Sequence, residues 1–189
     1  MKIDWSQGSW TNAPENAIAA GNEFWVTAKP ESDCWNKTSY GFTHDNGHGL
    51  VTDLPRDSAM QVQLYLDYDQ NFDQAGLLLF ADKANWVKAG VEHSDGMPQA
   101  GAVVTAGNSD WSVSRVPEWR NSWVTVRISR TKDAITIRAG VDELRLLRVA
   151  PIDSHLNWKC GPMVCVPTRA GLRVRFRNWE TSEADASLL

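Results

Sequence analysis

The chain has no apolar run approaching the ~20 residues that cross a bilayer as a helix, so no membrane partner is expected. It has no excess of positive charge: 19 Lys and Arg stand against 23 Asp and Glu, a formal net charge of −4. That balance argues against a general nucleic-acid partner. Cysteine is scarce, with three copies. Cys34, Cys160 and Cys165 match no metal-binding spacing. An odd count behind a start, MKIDWSQGSW, that lacks the apolar centre of a signal peptide predicts reduced thiols and a cytoplasmic location. Cys160 and Cys165 are the near pair, able to meet only across a tight loop. Catalytic signatures are missing as well. There is no GxSxG elbow for serine chemistry, no GxxxxGKS/T loop for nucleotide hydrolysis and no HExxH zinc motif. No cofactor is expected.

What the chain does have is tryptophan, ten copies in 189 residues. That is more than packing usually needs, and an indole in a groove offers flat apolar area with a polar edge. The length suits one domain with a sizeable core, read here as residues 1–180 followed by a loose tail, TSEADASLL (181–189). No stretch sustains a helical period over three turns, although PENAIAAG (14–21) would make one helical turn. Short alternating segments recur instead. AMQVQLYLDY (59–68), WVKAGVE (86–92), GAVVTAG (101–107), SWVTVRISR (122–130), AITIRAG (134–140), PMVCV (162–166) and LRVRFRNW (172–179) read as strands. AGLLLFAD (75–82) is an apolar run, as in a strand covered on both faces. DKAN, SDG, NSD and TKD mark turns between them. The expected class is all-β, a two-sheet antiparallel sandwich with a jelly roll as the natural variant.

Several segments, taken together and in order, carry a resemblance: DCWNKTSYGFTHDNGHG (33–49), DQAGLLL (73–79), WVKAGVE, VVT (103–105) and SDWS (109–112). Over roughly residues 5 to 180 the chain resembles a family of unknown biochemical function with the concanavalin A-like lectin/glucanase sandwich. One fungal member of that family is described as a regulator of enolase. The resemblance implies two curved antiparallel sheets with a concave groove, and it adds a metabolic enzyme as a partner. It implies no catalytic mechanism. Glucanases of this fold often carry an ExDxE triplet on one strand, which this chain lacks.

The site therefore has to come from the residues. In WVKAGVE, Val87, Ala89 and Val91 alternate with Trp86, Lys88, Gly90 and Glu92. The second set is either a solvated face with a weak Lys–Glu pair or the floor of a cleft, with Gly90 leaving room for close approach to the backbone. The buried-looking strand before it favours the cleft. Gln74 shares a face with Gly76 and Leu78 on that preceding strand. It would either join the polar set or tie down a neighbouring backbone. An amide, an amine, a carboxylate and an indole together suit a sugar, whose hydroxyls need donors and acceptors and whose ring face stacks on an aromatic. Asp110 and Trp111 either reach the groove or serve as a turn cap and a core residue.

In DCWNKTSYGFTHDNGHG, Asp33, Trp35, Tyr40, His44 and His48 share one polar segment. The run HDNGHG is a turn, so His44 and His48 do not align as metal ligands. A hydrogen-bonding His48 at the groove mouth is the expectation instead. DYDQNFD (67–73) imitates the start of a calcium loop but has Phe72 and Leu78 where Gly and Glu belong. No metal is expected. Arg127 and Arg138, on neighbouring strands, either lie on a solvated face or hold a carboxylate or phosphate bidentately. Arg173, Arg175 and Arg177 form a basic stripe read as outer surface or as pairing for acidic neighbours.

The candidate ligand-binding set is Trp35, His48, Gln74, Trp86, Lys88, Glu92, Asp110, Trp111 and Arg127. A glycosidase needs two carboxyl groups roughly 5–10 Å apart. Glu92 is the candidate acid or base, and Asp33, Asp45 and Asp110 are its possible partners. Non-covalent recognition of a carbohydrate or small polar metabolite is favoured. The alternatives are a carbohydrate-active hydrolase, lyase or isomerase using Glu92, and a protein-interaction module.

Overall fold

The computed structural model describes residues 1–188. Its strands in chain order are β1 (Ser9–Trp10), β2 (Asn16–Ala20), β3 (Glu23–Thr27), β4 (Cys34–Asn36), β5 (Thr43–Asp45), β6 (His48–Asp53), β7 (Ser58–Tyr65) and β8 (Gln74–Asp82). They continue with β9 (Asn85–Ser94), β10 (Met97–Ala106), β11 (Asn108–Arg115), β12 (Trp123–Arg130), β13 (Ala134–Gly140), β14 (Arg145–Pro151), β15 (Lys159–Cys165) and β16 (Arg173–Glu183). Helix among the described residues is confined to two 3-10 turns, Trp5–Gln7 and Pro117–Trp119.

The strands build a two-sheet antiparallel β-sandwich. One sheet has the order β1-β6-β15-β8-β9-β10-β11 and the other β14-β13-β12-β7-β16-β3-β2. Period-two alternation decides which side chains meet between them. Val87, Ala89 and Val91 of β9 and Leu77 and Leu79 of β8 face Met60, Val62 and Leu64 of β7 and Val126 and Ile128 of β12 in one continuous buried core. The DKAN turn between β8 and β9 is held by Asp82, whose carboxylate accepts from the backbone N–H groups of Ala84 (2.8 Å) and Asn85 (2.9 Å).

Four local expectations are corrected. Residues 16–20 of PENAIAAG form β2 rather than a helical turn, because they complete the edge of the second sheet against β3. NSD opens β11; the preceding Gly107, at φ 80°, makes the turn. The loose tail does not begin at residue 181: β16 runs to Glu183, pairing Thr181, Ser182 and Glu183 with β7. Asp185 beyond it is held by two arginines, and Leu189 lies outside the described residues. Cys160 and Cys165 cannot meet. They are five residues apart on one strand and so point to opposite faces, Cys160 into the inter-sheet core and Cys165 into a second apolar cluster on the outer face.

That second cluster positions the site. Between β3 and β6 the chain crosses the outer face of the first sheet as a strap that carries the small ribbon β4–β5. Cys34 and Trp35 of the strap pack on Leu78, Trp86, Val103, Met163 and Cys165. Polar contacts fasten it. The Asn36 backbone N–H donates to Ser109 Oγ (2.9 Å), and its side-chain amide donates to the carbonyls of Lys83 (3.0 Å) and Gly107 (3.2 Å).

Candidate functional site

Antiparallel register sets the floor of the site. Gln74 of β8 lies directly opposite Glu92 of β9, and Leu78 lies opposite Lys88. Between those two rows run three adjacent glycines, Gly76, Gly90 and Gly101. The close backbones tolerate nothing larger: a Cβ on Gly90 would lie 2.1 Å from the Ala75 carbonyl oxygen, and one on Gly76 would lie 2.0 Å from that of Ala89. The row leaves a narrow cleft of about 30 Å³ flanked by Lys88, Glu92, Gln99 and Trp111.

Across this trough Lys88 extends its amine, with a side chain only 7% exposed. It donates to Asp33 Oδ1 (2.7 Å) on the strap and to Gln74 Oε1 (2.8 Å). The Gln74 amide donates in turn to Asp33 Oδ1 (3.4 Å). Burial is the largest influence and opposes the charge on Lys88, but the Asp33 carboxylate together with the neighbouring Cys165 and Cys34 outweighs it and holds the amine above its ordinary value. Lys88 is thus a fixed cation paired with Asp33 and not with Glu92. Burial pushes the Glu92 carboxyl up from its ordinary value; the Lys88 ammonium pulls it back and the Asp33 carboxylate adds to the rise.

Above this floor opens a cavity of about 290 Å³. Asp33, Gln74, Lys88 and Glu92 supply its polar groups, and Trp35, Tyr40, Phe42, Phe72 and Trp111 form aromatic walls. Trp35 is fixed from below by donating its indole N–H to the Thr38 carbonyl (3.0 Å). It meets Tyr40 and Trp111 edge-on, with ring centres at 5.7 and 6.4 Å. Tyr40 and Trp111 keep 63% and 44% of their surface exposed, and Phe42 and Phe72 are exposed as well. Four exposed aromatic side chains thus surround one hollow. Phe72 is held at φ 70°, in the left-handed region that a bulky side chain rarely adopts.

Of the residues expected in the site, Trp35, Gln74, Lys88, Glu92 and Trp111 come together around this cavity. Four do not. Trp86 shares the face of Lys88, but the strap covers it and buries it in the second apolar cluster. It borders a separate cavity of about 140 Å³. His48 is buried and stays away from the groove mouth. Its Nε2 accepts from the Lys29 backbone N–H (3.1 Å), so its Nδ1 carries the proton and donates to the Asn12 carbonyl (3.0 Å). Burial holds that ring below its ordinary value, in keeping with a neutral clamp between two loops. Asp110 lies one position from Trp111 and therefore on the opposite face of β11, where Arg148 of β14 pairs with it at 2.8 Å. Arg127 belongs to the other sheet. It and Arg138 do clasp a carboxylate, but that carboxylate is the chain's own Asp185.

Asp33 was one of three loop carboxylates weighed as partners for Glu92, and it is the one that reaches the site. Asp45 instead pairs with Lys83 at 2.7 Å. Sequence reasoning passed over Phe42 and Phe72. The signal for Phe72 was an aromatic inside the otherwise polar turn DYDQNFD. Asp73 of that turn is buried against Arg169, whose Nε lies 2.9 Å from Asp73 Oδ1. The basic stripe Arg173, Arg175 and Arg177 is also explained: the three guanidinium groups lie over Trp25 (4.4 Å), Tyr65 (4.0 Å) and Trp123 (4.1 Å) on the outer face of the second sheet.

Two seven-stranded antiparallel sheets give the chain a concanavalin A-like β-sandwich fold. The chain belongs to the family described as protein of unknown function DUF1349, which it matches over residues 10–184. It is 34% identical over 175 residues to the Saccharomyces cerevisiae protein named Regulation of enolase protein 1, covering 92% of this chain and 88% of that one. The crystal structure of a functionally unknown protein from Saccharomyces cerevisiae superposes with a TM-score of 0.91 at 32% identity, over 97% of this chain and 100% of the other. A legume lectin-like domain from Entamoeba histolytica superposes with a TM-score of 0.63 at 10% identity, over 96% of this chain and 92% of that domain; this likeness is one of fold alone. No helix among the described residues is long and apolar enough to cross a membrane.

Proposed function

We propose that the cavity over β8, β9 and β10 binds a carbohydrate or a polar metabolite of similar size. The observation that carries this reading is the pairing of open aromatic walls with a buried hydrogen-bonding floor. Trp111 and Tyr40 offer faces for a sugar ring, while Lys88, Gln74, Asp33 and Glu92 offer donors and acceptors for hydroxyls. Lys88 and Asp33 neutralise each other, and burial raises the Glu92 carboxyl above its ordinary value. With the lysine already paired to a carboxylate, the cavity favours a neutral polyol over an acidic one.

Titration of the protein with a panel of neutral mono- and disaccharides, read by calorimetry and by tryptophan fluorescence, tests the reading. Saturable binding is expected for at least one sugar, weakened roughly tenfold or more by Trp111→Ala. In Glu92→Gln the shape is kept and the charge removed, which is expected to cost ~1–3 kcal/mol of affinity. Uniform failure of the panel to bind would sink the idea.

A second reading rests on Glu92 itself. A carboxyl raised by burial, with Asp33 as a second carboxylate in the same cavity, is the equipment of an acid–base catalyst. Under it, Glu92→Gln would still bind but lose turnover by ~10²-fold or more, and incubation with sugars would yield a new product in a carbon NMR spectrum. The name of the yeast relative supports a third reading, a partner among metabolic enzymes. Co-purification with enolase in the absence of sugar binding would favour it.

A further inference from the structure

Beneath the cavity two thiols meet. Cys34 sits on β4 of the strap, between Asp33 and Trp35, and Cys165 ends β15 of the sheet below. Cys165 Sγ donates to Met163 Sδ (3.5 Å), and the Cys34 sulfur packs beside it in the same apolar cluster. Gly47 closes over both sulfurs: a Cβ there would lie 2.5 Å from Cys34 Sγ and 2.7 Å from Cys165 Sγ. The thiols are unequal. The neighbouring Cys165 thiol pushes the Cys34 thiol below its ordinary value against the opposing effect of burial, with the Lys88 ammonium helping. Its Cys34 partner and burial together push Cys165 up. Access is unequal too. The cavity of about 140 Å³ bordered by Cys34, Gly47, Leu78, Phe80, Lys83 and Trp86 reaches Cys34, whereas Cys165 is fully buried. A hollow of that size admits a molecule as small as a hydroperoxide.

We propose that Cys34 and Cys165 are an oxidisable dithiol that a hydroperoxide converts to a disulfide, clamping the strap onto the first sheet. Cys34 attacks one peroxide oxygen; the O–O bond breaks, Cys34 becomes a sulfenic acid, and water (for an organic peroxide, an alcohol) leaves with the thiol proton. Cys165 then attacks the sulfenic sulfur and expels its oxygen as water, carrying the Cys165 proton. With hydrogen peroxide the balance is two thiols and one peroxide to one disulfide and two waters. The third thiol, Cys160, faces the inter-sheet core and takes no part. This inference does not depend on what the larger cavity binds.

The test treats the reduced full-length protein with a stoichiometric dose of hydrogen peroxide and counts thiols under denaturing conditions. The count is expected to fall from the three free cysteines present to one, with a Cys34–Cys165 linked peptide in the mass spectrum and full recovery by dithiothreitol. Amide exchange across residues 33–49 should slow in the oxidised form. In Cys165→Ser, Cys34 should persist as a sulfenic acid trapped by dimedone, and Cys34→Ser should keep its remaining thiols at the same dose. Survival of all three thiols in the wild-type protein, a bridge to Cys160, or faster exchange of the strap after oxidation would overturn the proposal. The wild-type measurements stand whether or not either variant folds.

Discussion

Lys88 and Glu92 lie on one strand face yet do different things, because each meets a different neighbour. Lys88 gains Asp33 and Gln74 and becomes a permanent cation at the floor of the cavity. Removing it, as in Lys88→Met, leaves the part-buried Asp33 carboxylate without a counter-charge. The expected loss is about 3 kcal/mol, at the lower end of what breaking a buried pair costs, read from urea unfolding. Glu92 gains no such partner, and burial raises it. Its folded value therefore stands above the ordinary 4.5, and between those two values the folded state binds more protons than the unfolded one. Stability contributed by this group is present below that window and declines as pH rises through it. Glu92→Gln removes the decline. Unfolding midpoints measured from pH 4 upward should converge for the two proteins in acid and favour the variant as pH rises.

At the level of strands, the glycine row and the strap shape the cavity together. Gly76, Gly90 and Gly101 clear a trough across three strands, and the strap walls its end with Trp35 and Tyr40. Gly90→Ala would force a methyl group into the Ala75 carbonyl, whose backbone cannot rotate away as a side chain would. We expect a destabilisation of about 1–3 kcal/mol from overpacking, seen as a lower Tm, and loss of the proposed sugar binding as β8 and β9 separate. The strap depends on Asp33 as much as on its apolar contacts. In Lys88→Met, faster amide exchange should therefore be confined to residues 33–49 while the inter-sheet core keeps its protection.

Across the whole molecule, the chain's end is tied to the outer face of the second sheet. Asp185 accepts from Arg127 Nε at 2.9 Å and pairs with Arg138, and the Leu188 carbonyl accepts from Arg138 at 2.8 Å. Arg127 and Arg138 are directly opposed on β12 and β13, so their like charges need that carboxylate. Asp185→Asn should cost about 1–3 kcal/mol, the scale of charged hydrogen bonds. High salt should change the difference little, because the Arg127 and Arg138 side chains are only 14% and 15% exposed and a largely buried pair is weakly screened. The sugar binding proposed for the far sheet should be unchanged, which calorimetry on the same variant checks.

Alternation with period two is a local property, and it was legible. It marked seven of the strands, with the apolar run of β8 as an eighth, and separated Val87, Ala89 and Val91 from Lys88 and Glu92. Hairpin register then brought Gln74 and Glu92 face to face, because a short turn leaves neighbouring strands little choice. The strands β1 to β6, β11 and β14 were missed; the shortest of them, such as β1, β4 and β5, are held extended by their pairing rather than by their pattern. Long-range contacts had no local trace. The partner of Lys88 stands 55 positions away, that of Arg127 stands 58 away, and the thiol beside Cys34 lies on β15, the last strand in the chain to join the first sheet. Whether Trp86 and Trp111, equivalent as indoles on strand faces, become a buried wall and an open one depends on where the strap crosses. Asp33, Asn36 and the apolar cluster under Trp35 set that crossing, and those contacts exist only once the two sheets have closed.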